Sequence, residues 1–169
     1  MRKIEELMYK EENAWIMIQE WALEAKNKVK ILPNQRVDGE NTLFKLQITN
    51  KSTMGAIALE CGGILIDNGW LKILGSGHDR ISGNILTWNN FNGTKLEFPL
   101  EKAMIIAYDI IGGFYVINAG EFGSSMNTIF YFAPDRLEWE NLEMSYTDFL
   151  YWAMNGDLDL YYKQFRWLG

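Results

Sequence analysis

Two short apolar runs joined by a tight turn place the strongest constraint on what this chain can fold into. Residues 64–66 and 70–74 are rich in isoleucine and leucine, and Asp67-Asn68-Gly69 lies between them. Asparagine and glycine tolerate the positive φ angles of hairpin turns, so the pattern predicts an antiparallel β-hairpin. The middle of the chain is therefore expected to be rich in strands.

Four further apolar runs complete the predicted sheet. Most of their residues are β-branched, aliphatic or aromatic, and β-branched and aromatic side chains favour strands. The first run ends at Pro33, because the residue before a proline is conformationally restricted. The Gly112-Gly113 pair separates two of the others. The runs comprise residues 29–32, 104–111, 114–118 and 129–132.

Helical spacing of apolar residues occurs mainly at the two ends of the chain. Asn13 is a predicted N-cap, and the apolar residues from Trp15 to Ala25 recur near the helical period. Ser145 is the predicted cap of a second helix over residues 146–154. Helices are thus expected to flank the strand-rich middle.

The remaining segments are short and more polar. Residues 36–41 contain a glycine and favour a loop, whereas residues 43–48 favour either a strand or an irregular segment. A short helix is predicted within residues 81–88, and Asn92-Gly93 marks a turn after it. Further short helices are expected at residues 2–10, after Ser52 or Thr53, and at residues 157–167.

Together these elements predict the architecture. The chain has 169 residues, a length that favours one domain. We expect an α+β fold with a central, mostly antiparallel sheet flanked by N-terminal and C-terminal helices. The single globular domain would span residues 1–169, with a helical start at 1–28, a strand-rich middle at 29–133 and a helical, acidic end at 134–169.

Charge and hydropathy exclude several classes of function. The chain has 22 acidic and 16 basic side chains, a net charge of −6, and an acidic protein repels the phosphates of nucleic acids. Residues 135–169 are the most acidic part, with seven acidic and three basic side chains. No run is long and apolar enough for a membrane span, and the first residues lack the apolar core of a signal peptide. We expect a cytoplasmic protein that binds neither nucleic acids nor membranes.

Few side chains suit metal or cofactor chemistry. One cysteine and one histidine can form neither an internal disulfide nor a zinc shell without carboxylates. Cys61 follows an apolar helical segment and is expected to be a buried, inert thiol. The C-terminal carboxylates lack the alternating ligands and central glycine of an EF-hand loop. We expect no metal and no cofactor.

A glycine-rich loop offers a local group of candidate catalytic residues. Residues 75–80 read GSGHDR and place Ser76, His78, Asp79 and Arg80 within six positions. Catalytic partners in known triads usually come from separated parts of a chain, so closeness in sequence is weak support. We prefer a capping or hydrogen-bonding role for His78. A small-molecule enzyme that uses Ser76 and His78 is the alternative.

Aromatic residues indicate a binding surface near the C-terminus. Phe, Trp and Tyr make up 14% of the chain, and most such side chains serve the core. Trp139 differs because Glu138 and Glu140 flank it in a predicted loop, a composition typical of an interface anchor with a charged rim. We predict that Trp139, Glu138, Glu140 and Glu143 contact a protein partner, and we assign no residue a catalytic role.

Four blocks of sequence form a specific pattern in the second half of the chain and just before it. They are GGILIDNGWLKILGSGH at residues 62–78, IIGGFYVINAG at residues 110–120, YFAPDRLEWE at residues 131–140 and SYTDFLYWAMNGDLDLYYKQFRW at residues 145–167. These blocks resemble those of an uncharacterised bacterial family, a domain of unknown function. More distantly, the chain is similar to the SUKH superfamily, whose pattern includes a helical start, a Gly-Gly strand pair and an aspartate-rich helical end.

The SUKH resemblance implies both a fold and a function. It implies an α+β fold, and many members of the superfamily are immunity proteins that bind and neutralise bacterial toxins without a catalytic residue. An acidic inhibitor would capture a basic toxin domain rapidly. The implied function is a non-catalytic, immunity-type protein-binding module. A housekeeping interaction protein is an alternative, and the aromatic surface is also compatible with a homodimer.

Overall fold

A seven-stranded antiparallel sheet forms the centre of the protein. The computed structural model describes residues 1–89, 100 and 102–163. Within these residues each strand pairs with its neighbours in sequence order, which confirms the predicted α+β fold with an antiparallel sheet. The strands are β1 (Val29–Leu32), β2 (Gly63–Ile66), β3 (Leu71–Leu74), β4 (Ala103–Asp109), β5 (Phe114–Asn118), β6 (Ile129–Ala133) and β7 (Glu138–Asn141).

The predicted hairpin between the first two apolar runs is confirmed. β2 and β3 pair with Ile66 opposite Leu71. All three residues of the Asp67-Asn68-Gly69 turn have positive φ angles, of 54°, 61° and 90°. This turn conformation is one that asparagine and glycine adopt at low cost, so the local sequence determines the strand register.

Helices lie at both ends of the chain and between the first strands. Ser52 and Ser145 cap two of them as predicted, because their hydroxyl oxygens accept hydrogen bonds from the backbone amides of Gly55 and Asp148. Asn13 accepts a hydrogen bond from the amide of Trp15, although the N-cap position itself is Ala14. The helices are α1 (Ile4–Leu7), α2 (Trp15–Glu24), α3 (Arg36–Leu46), α4 (Thr53–Glu60), α5 (Ile85–Trp88), α6 (Tyr146–Asn155) and α7 (Leu158–Tyr161).

The two faces of the sheet have different coverings. On one face, which we call the helical face, Ile64 and Tyr131 belong to a core shared with α2, α4, α6 and α7. On the other, the open face, Leu65 and Val116 belong to a core shared with Ile85 of α5. Successive side chains of a strand point to opposite faces, which is how one sheet supports both cores.

Asn27 joins the two ends of the fold. Its backbone amide donates a hydrogen bond to the carbonyl of Met154, 2.9 Å away. Its side-chain amide donates to the carbonyls of Ala153 and Gly156, at 2.9 and 3.0 Å. The segment before β1 is thereby fixed to the C-terminal end of α6.

The prediction for the segment between β1 and α4 is wrong. α3 occupies residues predicted as a loop (36–41) and as a strand or irregular segment (43–48). Leu43 of α3 is fully buried against Leu7 and Leu59. A Cβ on Gly39 would overlap the carbonyl oxygen of Leu59, so this glycine permits close packing of α3 on α4 rather than a turn.

The prediction of a loop around Trp139 is also wrong. This segment is β7, which pairs with β6 so that Trp139 lies opposite Phe132. Trp139 is half-buried in this strand, whereas Glu138, Glu140 and Asn141 are exposed. Trp139 is the only apolar residue of β7, so no apolar run marked the strand in the sequence.

Several element boundaries also differ from prediction. α1 is shorter than residues 2–10, and α5 occupies only the end of the segment 81–88. The predicted final helix over 157–167 begins as α7, and residues 164–167 lie outside the described residues. The predicted turn at Asn92-Gly93 also lies outside them. α4 and α5 lie where short helices were predicted within the strand-rich middle, α3 is an additional helix there, and β7 lies within the predicted helical end.

Candidate functional site

A continuous group of half-buried aromatic side chains lies on the open face. Adjacent strands place Tyr108 opposite Phe114, Phe114 opposite Phe132, and Phe132 opposite Trp139. Two further rings join this row from outside the strands, Trp88 of α5 and Phe122 of the connection between β5 and β6. We call the six residues the aromatic strip: Trp88, Tyr108, Phe114, Phe122, Phe132 and Trp139.

The rings of the aromatic strip contact one another along its length. Trp88 stacks on Tyr108 with ring centroids 5.1 Å apart, and lies 5.6 Å from Phe114. At the other end, Trp139 lies 5.2 Å from Phe132 and 4.8 Å from Phe122. Each ring is half-buried, so the strip has both a packed side and a solvent-facing side. Such surfaces supply the aromatic anchors of protein interfaces.

A lysine lies at the β3 end of the aromatic strip. Lys72 pairs with Tyr108 across the strands, and its Nζ atom lies 5.4 Å from the centroid of the Tyr108 ring. This distance is within the range of a cation–π interaction. The strip therefore extends from a cation at β3 to Trp139 in the edge strand β7.

Sequence reasoning identified Trp139 but missed the other members of the aromatic strip. Tyr108, Phe114 and Phe132 were assigned to strands without a common face. Their shared face follows from the strand register, and the Gly112-Gly113 turn brings Tyr108 opposite Phe114. The sequence did contain a signal for this. Counting alternate residues along both strands, outward from the Gly112-Gly113 turn, places Tyr108 and Phe114 on the same face.

The structure separates the four residues predicted to contact a partner. Trp139 packs with Phe132 and Phe122 on the open face. Glu138 and Glu140 alternate with Trp139 along β7 and therefore point to the helical face. Consistent with this placement, burial and then the Glu140 carboxylate raise the pKa of Tyr161, the last residue of α7. Glu143 lies beyond β7 with a φ of 55°, and its amide donates to the side chain of Asn141.

The groups of the glycine-rich loop do not form a nucleophile and base pair. The buried Ser76 hydroxyl donates to the carbonyl of Cys61 at 3.0 Å and accepts from the side-chain amide of Asn34 at 2.8 Å. The Nδ1 atom of His78 accepts from the amide of Arg80 at 3.1 Å. Both side chains thus stabilise the loop, in agreement with the hydrogen-bonding role preferred for His78.

A polar cavity nevertheless lies beside this loop. Its volume is about 660 Å³, and it lies where the loop meets the start of α3 and the N-cap of α5. Sequence reasoning did not associate the α3 residues with this loop. The polar side chains that line it include Asn34, Gln35, Asp38, His78, Asp79 and Asn84.

A second cavity, of about 780 Å³, is mainly apolar. It lies where the N-terminal ends of α4 and α6 approach the start of β4, and Met54 and Met104 contribute to its wall. Lys51 and Lys102 also line this cavity. The ammonium group of Lys51 already has two partners, the carboxylate of Glu12 and the ring of Tyr9. This cavity contains none of the residues that the sequence singled out for function.

Cys61 behaves as the sequence predicts. Its side chain is fully buried, and burial raises the pKa of the thiol to about 12. The thiol donates a weak hydrogen bond to the carbonyl of Ile57 at 3.4 Å. A thiol with so high a pKa is not a nucleophile at neutral pH. Across the described residues, no group of three or more His, Cys, Asp or Glu side chains could hold a metal ion.

A buried carboxylate on the helical face was missed by sequence reasoning. Asp109 is 3% exposed, and it accepts hydrogen bonds from the hydroxyls of Tyr131 and Tyr162, at 2.6 and 2.9 Å, and from the amide of Gly113. The hydroxyl of Tyr115 bonds to that of Tyr162 at 2.5 Å. We call these residues the Asp109 network. Its carboxylate is fully partnered by the protein, so its role is structural.

Burial raises the pKa of each tyrosine in the Asp109 network. It is the largest cause for Tyr115, Tyr131 and Tyr162. The nearby Asp109 carboxylate raises all three pKa values further, because it disfavours a second negative charge. The network is thus stable only with its hydroxyls protonated.

Comparison with known proteins places the chain in a family. The profile of the family described as "Protein of unknown function DUF2625" matches residues 4–169. The chain belongs to this DUF2625 family. The predicted resemblance to an uncharacterised bacterial family is therefore confirmed.

Two bacterial relatives agree with this membership. The uncharacterised protein YbfG of Escherichia coli (strain K12) is 42% identical over 167 residues, which cover 99% of this chain and 76% of YbfG. An uncharacterised protein of Haemophilus influenzae (strain Rd) is 35% identical over 167 residues, which cover 99% of this chain and 73% of the relative. No solved structure matches significantly. The DUF2625 match does not show a similarity to the SUKH superfamily, which stays a prediction.

The helices also bear on the membrane prediction. None of the helices in the described part of the chain combines the length and the apolarity needed to cross a bilayer.

Proposed function

We propose that this DUF2625 protein is a non-catalytic protein-binding module whose partner contacts the aromatic strip. The observation that carries the proposal is the continuous row of six half-buried rings on the open face. Aromatic side chains dominate the energetics of protein interfaces, because they bury a large area for a small loss of side-chain entropy.

Charge favours a protein partner over a nucleic acid. Stacked aromatic rings also bind unpaired bases, but such sites combine them with a positively charged groove. The aromatic strip has Lys72 at one end, the carboxylates of β7 lie on the opposite face of the sheet, and the chain has a net charge of −6. A protein with this net charge suits a basic protein partner better than a nucleic acid.

The more specific proposal is an immunity-type inhibitor of a bacterial toxin. It combines the predicted SUKH similarity with the acidic C-terminal segment, which would accelerate the capture of a basic toxin domain. Inhibition by binding requires no catalytic group, and Ser76 and His78 each have a structural hydrogen bond. A housekeeping partner is the alternative within the same class.

A small-molecule enzyme is the second candidate, and the polar cavity beside His78 favours it. Its volume of about 660 Å³ lies within the range of small-molecule sites. It lacks a visible nucleophile and base pair, because the Ser76 hydroxyl is buried and bonded to Cys61 and Asn34. The module is therefore the better supported function.

Affinity capture with matched variants tests the module. The tagged protein is incubated with lysate of its native cells at low and then high salt, and bound proteins are identified by mass spectrometry. Trp139→Ala removes a ring of the aromatic strip. Tyr151→Ala removes an aromatic side chain that is 51% exposed and contacts Trp21 of α2, away from the strip, and serves as the control.

We expect a stoichiometric basic protein that elutes as salt rises. Its recovery should fall at least tenfold with Trp139→Ala, which corresponds to about 1.4 kcal/mol, and should be unchanged with Tyr151→Ala. A partner retained equally by both variants would remove the aromatic strip from the interface. Absence of any partner at low salt, together with loss of a metabolic activity on His78→Ala, would favour the enzyme instead.

A further inference from the structure

β7 is the edge strand at one end of the sheet that the described residues form. The amide of Leu142 donates to the carbonyl of Ile129 at 2.9 Å. Backbone groups of an antiparallel strand alternate in direction, so Glu140 and Glu138 share this inward direction towards β6. Trp139 and Asn141 therefore direct their amides and carbonyls outward. Among the described residues, no strand pairs with this side of β7.

The side chains of β7 divide between the two faces of the sheet. Trp139 joins the aromatic strip on the open face, whereas Glu138 and Glu140 lie on the helical face. A partner that lies on one face can contact only one of these groups. A strand placed beside β7 contacts both, because its own side chains alternate in the same way.

We infer that the partner adds an extended, basic segment to the outer edge of β7. The inference rests on the proposed function, since it takes the partner to be a basic protein. Outward amides and carbonyls of Trp139 and Asn141 pair with the segment's backbone. The added segment has lysine or arginine at every second position, and these side chains lie beside Glu138 and Glu140. Its intervening apolar residues lie beside Trp139. Opposite charges across paired strands are stabilising, and this arrangement explains why charge and aromatic character alternate in β7.

Charge makes a second copy of β7 a poor occupant of this edge. Antiparallel pairing of two β7 strands about Trp139 places Glu138 of one copy opposite Glu140 of the other. Pairing about Glu140 places two copies of that residue opposite each other. Like charges directly opposite destabilise a strand pair. Acidic side chains on an exposed edge thus disfavour self-association and remain compatible with a basic strand.

Residue 141 provides a backbone-specific test. Proline at this position removes an outward amide and leaves the inward hydrogen bonds to β6, which edge strands tolerate. Asn141→Ala is the matched control, because both variants lose the side-chain contact to the Glu143 amide and only Asn141→Pro loses the backbone donor. The probe is a short peptide in which lysine and valine alternate, and its counterpart carries glutamate instead of lysine.

Binding is followed by NMR titration of the full chain with each peptide. The lysine peptide should shift the amide signals of Trp139 and Asn141 and slow their hydrogen exchange, and the glutamate peptide should do neither. Asn141→Pro should bind the lysine peptide about tenfold more weakly than Asn141→Ala, as expected for one lost interaction of about 1.4 kcal/mol. Equal affinities for the two variants, or signal shifts confined to other strands, would overturn the inference.

A charge exchange keeps the test valid if Asn141→Pro fails to fold. The double variant Glu138→Lys with Glu140→Lys should lose the lysine peptide and bind the glutamate peptide. Unchanged peptide preference would contradict the inference.

The protein captured from lysate separates the two proposals. If Asn141→Pro retained this protein and Trp139→Ala lost it, the proposed binding module would stand and edge pairing would be refuted. An apparent mass that rises with protein concentration in the wild type but not in Asn141→Pro would make a second copy the occupant of this edge and would overturn the inference.

Discussion

The helical and open faces of the sheet are built from similar aromatic residues but treat them differently. On the helical face Tyr115, Tyr131 and Tyr162 are at most 1% exposed, and their hydroxyls are all hydrogen-bonded. On the open face the six rings of the aromatic strip are all half-buried. The comparison separates rings that stabilise the fold from rings that remain available for contact.

The difference originates in what covers each face. Within the described part of the chain, four helices pack on the helical face, whereas the open face is covered by the short α5 and by connections such as the one that carries Phe122. Cover of this kind makes an unpaired polar group costly, and within the Asp109 network every tyrosine hydroxyl is hydrogen-bonded. Partial cover leaves apolar area for which a partner can compete. The predictions below test whether this division of roles holds.

Alkaline pH should produce the largest effect, and it acts on the helical face. The tyrosines of the Asp109 network have raised pKa values when folded, whereas unfolded tyrosine ionises near pH 10. Their contribution to stability is complete below about pH 10 and is lost as pH rises beyond it. Above this pH, each tyrosine lowers the free energy of unfolding by about 1.4 kcal/mol for every pH unit. The three tyrosines of the Asp109 network together lower it by about 4 kcal/mol per pH unit.

Urea unfolding at successive pH values measures this slope, and absorbance at 295 nm follows tyrosine ionisation. Tyr131→Phe should reduce the slope by about 1.4 kcal/mol per pH unit, because one titrating hydroxyl is removed. Ionisation of all eight tyrosines near pH 10 without loss of circular dichroism would show that the helical face is not closed to solvent.

Removal of the buried carboxylate should have the next largest effect. Asp109→Ala leaves the hydroxyls of Tyr131 and Tyr162 and the amide of Gly113 without their acceptor. We expect a loss of about 3–5 kcal/mol in the free energy of unfolding, because buried unpaired polar groups are costly. Asp109→Asn retains one carbonyl acceptor and should cost less. Equal costs for the two variants, in urea unfolding at pH 7, would argue against the hydrogen-bond explanation.

A glycine substitution beside this network should have an intermediate effect. A Cβ on Gly113 would overlap the hydroxyl end of Tyr131, so Gly113→Ala should destabilise the protein by about 2 kcal/mol. Gly112 has a φ of 93°, and a methyl group at this position would meet only the Cβ of Pro134, 4.0 Å away. Gly112→Ala should therefore cost about 1 kcal/mol from backbone strain alone. Thermal unfolding of both variants compares the two costs. If Gly112→Ala destabilised the protein more than Gly113→Ala, the explanation by crowding against Tyr131 would be refuted.

Removal of a ring should have a smaller effect on stability on the open face than on the helical face. Phe132→Ala removes a half-buried ring and should cost about 1–2 kcal/mol. Phe149→Ala removes a ring that is 0% exposed under α6 and should cost about 3–5 kcal/mol. Chemical denaturation compares the two directly. If both cost the same, the open face is as much a part of the stabilising core as the helical face.

The sequence predicted the elements that depend on local signals. The Asp67-Asn68-Gly69 turn and the serine caps of α4 and α6 act through their immediate neighbours, so both were confirmed. α3 was missed because Gly39 is required by α4, which is distant in sequence. β7 was missed because a strand with one apolar residue has no apolar run to detect.

The candidate site could be predicted only in part. Trp139 was found from its acidic flanks, but its separation from Glu138 and Glu140 follows from strand alternation, which requires knowledge that β7 is a strand. The aromatic strip depends on the register of four strands, and the Asp109 network depends on where α7 delivers Tyr162. The local sequence around these residues does not show which distant segments they contact.

The strictly sequential sheet has a consequence for how the chain assembles. Each strand can form its pairs as soon as the next one is available, so most of the sheet requires only short loops to close, and such topologies favour rapid folding. The bonds of Asn27 are among those that close much longer loops, since they join positions 126 and 129 residues apart. Closing so long a loop has the greater entropic cost. The contact between the chain's two ends should therefore form last during folding and open first during unfolding.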